Sequence, residues 1–155
     1  MDIQAIFGLQ FLMSILAWSV VVGLLLGPWL AGKTRPEALL WLSVPHAFRH
    51  IGMVFLVPGM VDGPLPPEFA YPAAYGDLAT GALALVAILA LRARWSGALT
   101  LVWLFNLLGT IDLANALRQG DVATQFEAAW YIPTMLVPLL LVTHFMMFKR
   151  LTARG

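Results

Sequence analysis

The chain has no cysteine among its 155 residues. That excludes disulfides, thiolate metal centres and cysteine nucleophiles, and leaves the redox compartment open. Charge is nearly as scarce. Lys and Arg total 9 and Asp and Glu total 8, together 11% of the chain, where an ordinary soluble domain carries roughly 25%. A net charge of +1 gives nucleic acid no electrostatic footprint. A nucleophile elbow, a Gly-rich phosphate loop and a paired acid–base set of carboxylates are also missing, so the residues favour a non-enzymatic role. No internal repeat, direct or inverted, marks the chain as a transporter of the common kind. The first apolar run carries Asp2 and Gln4 in place of a basic leader. It is also far longer than a signal peptide's apolar region, so it reads as a retained helix.

What is there is apolar. Hydrophobic residues make up 61% of the chain, and its mean hydropathy is +0.85. A membrane-spanning helix needs about 20 mostly apolar residues at about 1.5 Å each. Five runs meet that need, at Ile3–Leu30, Ala38–Val61, Ala73–Leu91, Ala98–Leu117 and Ala129–Phe148. They are too long and too little alternating for barrel strands. The expected fold is all-α, a single domain over residues 1–155 built as a bundle of five transmembrane helices. Gly32 to Pro36 breaks the first two runs, and the proline-rich stretch from Asp62 to Pro72 predicts the longest and stiffest loop. Gly120 reads as the stop of the fourth helix.

The bases fix an orientation. Lys33, Arg35, Arg92, Arg94, Lys149, Arg150 and Arg154 fall at one side of the alternating runs, with Glu37 the sole acid there. The other side holds Asp2, Asp62, Glu68, Asp121 and Glu127 against Arg118. The positive-inside rule then places the N-terminus outside and the C-terminus in the cytoplasm, in the cell (inner) membrane. Trp29, Trp41 and Trp95 sit at one set of ends. Phe69, Tyr71, Tyr75, Trp130 and Tyr131 sit at the other, as expected of interfacial rings.

The second run contains His46, Arg49 and His50. An ionisable side chain at bilayer depth costs about 2.5–3.5 kcal/mol for Arg on insertion scales, so it faces the bundle interior and finds a partner. In an α-helix His46 and His50 share a face with Ser43, and Arg49 flanks it. Arg49 lies roughly 16 Å into the run, near mid-membrane. Its expected partner is Asp112 on the fourth run, roughly 8 Å from the outer end. Asp77, near the expected start of the third run, reads instead as an N-cap. Asn106, Thr110 and Asn115 add polar groups beside Gly109, and interhelical hydrogen bonding is their plainer role.

His144, on the fifth run, lies within about one helical turn of the depth of His46. The two could hold a haem or a metal, although a structural zinc site normally takes four ligands. Pro45, Pro133 and Pro138 predict kinks beside these histidines and hence space between helices two, four and five.

Pro45-His-Ala-Phe-Arg-His-Ile-Gly, with Phe55-Leu-Val-Pro-Gly and Pro72-Ala-Ala-Tyr-Gly-Asp77, resembles a group of small bacterial membrane proteins of uncharacterised activity. The resemblance implies a bacterial source. In helix number and length alone the chain is similar to the translocator protein, a five-helix protein that binds porphyrin and sterol; that family's tryptophan-rich motifs are missing here, and shared architecture does not establish function.

The functional expectation is binding or translocation of a small amphipathic or anionic ligand in a polar intramembrane pocket. Arg49 would meet an anionic group, and His50, Asn106, Asp112 and Asn115 would supply hydrogen bonds or a titrating relay. The alternatives are a redox subunit with haem or metal on His46 and His144, and a structural subunit of a membrane complex. Expected partners are the bilayer, the ligand, and further copies of the chain or a larger complex.

Overall fold

A computed structural model describes residues 2–153. Arg154, counted above among the C-terminal bases, lies outside the described residues. Those residues form five helices long and apolar enough to cross a membrane: α1 (Ile3–Ala31), α2 (Arg35–Leu56), α3 (Pro67–Arg92), α4 (Ala98–Leu117) and α5 (Ala128–Thr152). Several bounds move from their sequence expectation: α2 runs Arg35–Leu56 rather than Ala38–Val61, and α5 runs on past Phe148 to Thr152. α3 begins at Pro67 rather than Ala73, because prolines are tolerated in a first turn whose N–H groups have no partner. α4 ends at Leu117, and Gly120 opens a 3-10 turn, Gly120–Gln125, instead of stopping the helix.

Proline reshapes three helices. In α1 a π-helical turn, Val22–Leu26, precedes Pro28, and in α5 another, Ile132–Leu136, precedes Pro138. A proline ring collides with the carbonyl four residues earlier and offers that carbonyl no N–H, and a widened turn relieves the collision. One carbonyl in the α5 π-turn, that of Met135, accepts from the indole N–H of Trp18 on α1 at 3.0 Å. In α2 the α-helix stops at Ser43. From Val44 to Leu56 the chain runs as a 13-residue 3-10 helix entered through Pro45. Such runs seldom exceed 3–4 residues. At three residues per turn, every third side chain falls on one line. The buried residues of this segment are His46, Arg49, Gly52 and Phe55.

α2 packs chiefly on α3, and α3 on α4; α5 closes the bundle and α1 lies against α5. Small residues of α3, including Ala74, Gly81, Ala84 and Ala87, face inward and let the neighbouring helices approach. The interior has three levels. Toward the basic end, Leu39, Leu42, Leu91, Val102, Phe105 and Met147 form an apolar cluster. Toward the other end, Phe55, Phe69 and Phe126 pack within 5.7 Å of one another and under Val61 and Leu65. The loop carrying Val61 is tied to the α4–α5 connection by Asp62 N–H to the Gln125 carbonyl at 2.9 Å. Between these clusters lies a polar layer of His46, Arg49, Asp77, Asn106, Thr143 and His144, all buried.

Candidate functional site

Arg49 is the centre of that layer and the largest of the fully buried side chains. Its Nε donates to Asp77 Oδ1 at 2.6 Å and its Nη2 to Asp112 Oδ2 at 2.5 Å. Nη1 donates to the Gly109 carbonyl at 3.1 Å and points at His144 Nε2 at 3.4 Å. The planar guanidinium thus spends its fork on α3, α4 and α5 at once, a task a lysine ammonium could not perform. Two carboxylates around one guanidinium leave the trio one negative charge in excess when both are ionised. Both carboxylates are the more accessible partners, with side chains 11% and 14% exposed against 0% for Arg49.

The histidines continue the network. Because the guanidinium N–H groups face His144 Nε2, that nitrogen carries the lone pair and Nδ1 the proton. Nδ1 then donates to Asn106 Oδ1 at 2.6 Å. The Thr143 hydroxyl donates to the carbonyl of Leu139 or Leu140, at 2.9 and 3.0 Å, so it accepts from His46 Nε2 at 3.0 Å. The two imidazoles pack with ring centroids 4.1 Å apart. His46 Nδ1 is left buried with no hydrogen-bond partner.

Several sequence expectations change here. Asp77 is no N-cap: ten residues precede it in α3, and it bonds Arg49 directly. Asp112 pairs with Arg49 as expected. His50 is exposed, and its ring reaches only the Ala47 carbonyl at 3.2 Å. The shared face of His46 and His50 presumed α-helical spacing; in the 3-10 segment a four-residue step turns the side chain about 120° away. Asn115 is exposed and outside the network. Asn106 joins it, through His144 rather than through a ligand-facing position.

The haem and metal reading meets an unsuitable donor set. A bis-histidine haem needs two lone pairs aimed across one porphyrin plane. Here the rings pack on each other, both nitrogens of His144 are engaged, and the arginine cation stands beside it. Among the described residues no group of three or more His, Asp or Glu side chains is arranged to hold a metal ion.

Three glycines complete the site. A Cβ on Gly52 would overlap the Asp77 carboxylate, and one on Gly76 the Asp112 carboxylate. A Cβ on Gly109 would come within 2.7 Å of Arg49 Nη1 and 2.9 Å of His144 Cε1. Sequence reasoning passed over Gly52 and Gly76. Their signal is position: Gly52 is three residues from Arg49, Gly76 adjoins Asp77, and Gly109 is three residues from Asp112.

Away from the bases, the layer opens on a cavity of about 50 Å³, room for a few waters or one small headgroup. Asp77 and Asp112 line its deep end. Phe7, Phe55, Phe69, Leu113, Phe126 and Ile132 supply apolar walls from all five helices and the α4–α5 connection. Arg49 and the histidines do not line it.

Residues 6–152 match a protein family described as a domain of unknown function, DUF8737. No curated protein and no solved structure matches the chain.

Proposed function

For this chain, which belongs to the DUF8737 family, we propose a multi-pass protein of the bacterial inner membrane that binds a small amphipathic ligand in a polar intramembrane pocket. The observation that carries the reading is the apolar cavity that ends on the carboxylates of Asp77 and Asp112. Apolar walls with a few convergent polar groups are the usual form of a small-molecule site.

The charge arrangement refines the ligand. Arg49 is committed to both aspartates and shielded from the cavity, which counts against an anionic headgroup. The groups facing the cavity accept hydrogen bonds and, when both are ionised, carry the excess negative charge. The complementary ligand therefore presents a donor or a cation, such as an alkyl ammonium, with its headgroup in the cavity and its apolar chain leading out past the phenylalanines. Asp77 and Asp112 bind the headgroup, Arg49 positions them, and His144 with Asn106 holds Arg49 in place.

Orientation follows from charge. Lys33, Arg35, Arg92, Arg94, Lys149 and Arg150 cluster at one end and Asp62, Glu68, Asp121 and Glu127 at the other, which supports a cytoplasmic C-terminus. The absence of native cysteine allows a direct check. A cysteine at Glu68 should react with an impermeant maleimide in whole cells and one at Arg94 should not; the reverse would invert the assignment.

The ligand reading is tested by titrating the detergent-solubilised protein with dodecylammonium, dodecanol and dodecanoate. Binding is read by isothermal titration calorimetry. Dodecylammonium should bind best, and Asp77→Asn with Asp112→Asn should weaken it at least tenfold. Equal affinity in that variant, or preference for dodecanoate, would refute the reading.

A further inference from the structure

At the basic end, the last turn of α3, the connection through Trp95 and Ser96, and the first turns of α2 and α4 surround an open groove of about 540 Å³. Its floor is apolar, with Leu40, Leu91 and Leu99, and Arg92, Arg94 and Trp95 stand along it. The one acid in the groove is Glu37. Its carboxylate accepts from the Thr34 N–H at 3.0 Å and the Thr34 hydroxyl at 2.8 Å, closing a capping box. Neither arginine has a salt bridge among the described residues, where the ion pairs are the two of Arg49. All three of Arg92, Arg94 and Trp95 are exposed.

Arg94 is held there against its backbone preference. Its φ is +55°, and it is the one residue other than glycine with positive φ among those described. The turn is a helix C-cap in which the Trp95 N–H reaches the Ala90 carbonyl at 3.0 Å and the Arg94 N–H the Leu91 carbonyl at 3.1 Å. Glycine is the usual residue at this left-handed position. A side chain kept in such a conformation points toward a use for that side chain.

We propose that this groove binds the headgroup of an anionic phospholipid. The phosphodiester lies against the guanidinium groups of Arg92 and Arg94, which match phosphate geometry. The Ser96 hydroxyl donates to it, Trp95 sits at the glycerol level, and an acyl chain follows Leu40 and Leu99 into the apolar region. Basic recesses between transmembrane helices at the membrane surface recognise anionic lipids by this chemistry. The proposal rests on the transmembrane reading above and is independent of the cavity at Asp77 and Asp112.

The full chain is placed in nanodiscs of phosphatidylcholine containing phosphatidylglycerol, and retained lipid is counted by native mass spectrometry after release. Wild type should keep phosphatidylglycerol in preference to phosphatidylcholine, and Arg92→Gln with Arg94→Gln should lower that retention at least fivefold. Arg118→Gln, at the far end, should leave it unchanged. Arg94→Gly separates recognition from folding: it should raise the melting temperature by relieving the backbone while still lowering retention. The proposal is overturned if the double variant retains phosphatidylglycerol as wild type does, or if phosphatidylcholine is held equally well. It is also overturned if soluble glycerol phosphate competes at equal concentration, which would make the site one for free phosphate.

Discussion

Replacing Arg49 by Met keeps a long unbranched side chain and removes the charge. Four polar contacts vanish, two of them ion pairs at 2.6 and 2.5 Å. Asp77 and Asp112 are then left close together and mostly buried with nothing positive between them. Breaking a buried pair by removing one partner costs about 3–5 kcal/mol. The partial exposure of both carboxylates relieves part of that cost, and the loss of two pairs at once adds to it, so the middle of this range is expected. For a chain of this size each kcal/mol shifts the melting temperature by roughly 2–4 °C, so Arg49→Met should melt about 8–16 °C lower in detergent. The decisive comparison is the triple variant Arg49→Met, Asp77→Asn, Asp112→Asn. Neutralising a whole buried ionic group is often neutral or stabilising, so the triple variant should recover at least half of the loss. Circular dichroism at the helical minimum, followed with temperature, reads both. A fall of under about 2 °C in the single variant, or a triple variant no more stable than the single, would refute the view that Arg49 is held by compensation of two carboxylates.

The glycine cradle predicts that Gly76→Ala and Gly52→Ala each lose about 1–3 kcal/mol by overpacking against a carboxylate. Gly8→Ala in α1, where a Cβ meets nothing within 4 Å, should be neutral or gain up to about 1 kcal/mol. Thermal melts of the three variants check this, and equal losses at Gly8 and Gly76 would contradict it. His50→Ala and Asn115→Ala lie outside the polar layer and should stay within about 0.5 kcal/mol of wild type, with dodecylammonium binding unchanged. Loss of binding in either would restore the ligand-contacting role that the sequence first proposed for them.

Much of the site was legible because burying charge is expensive and therefore informative. Arg49 stood out in an apolar run, and Asp112 was the available acid on a parallel-running neighbour. His144 was matched to His46 by counting rise alone, and their rings do meet. Asp77 reads as an N-cap only if α3 starts after the proline cluster. With Pro67 in the first turn, the helix begins earlier and carries Asp77 well inside. His50 was misplaced for a different reason. Periodicity arguments assume 3.6 residues per turn, and a proline-initiated 3-10 segment changes the period to three.

By itself the sequence determined the number of helices, the separation of bases from acids along the bundle, and the presence of a polar layer midway. These follow from hydropathy, charge and chain length, which are sums over residues and need no knowledge of contacts. The tertiary structure alone decided that Arg49 is shared by two aspartates, that three glycines make room for them, and that the carboxylates rather than the arginine face the cavity. Those outcomes depend on helix rotation and helix separation. Rotation is set by where proline tightens or widens a turn, and separation by which small residues meet across the interface.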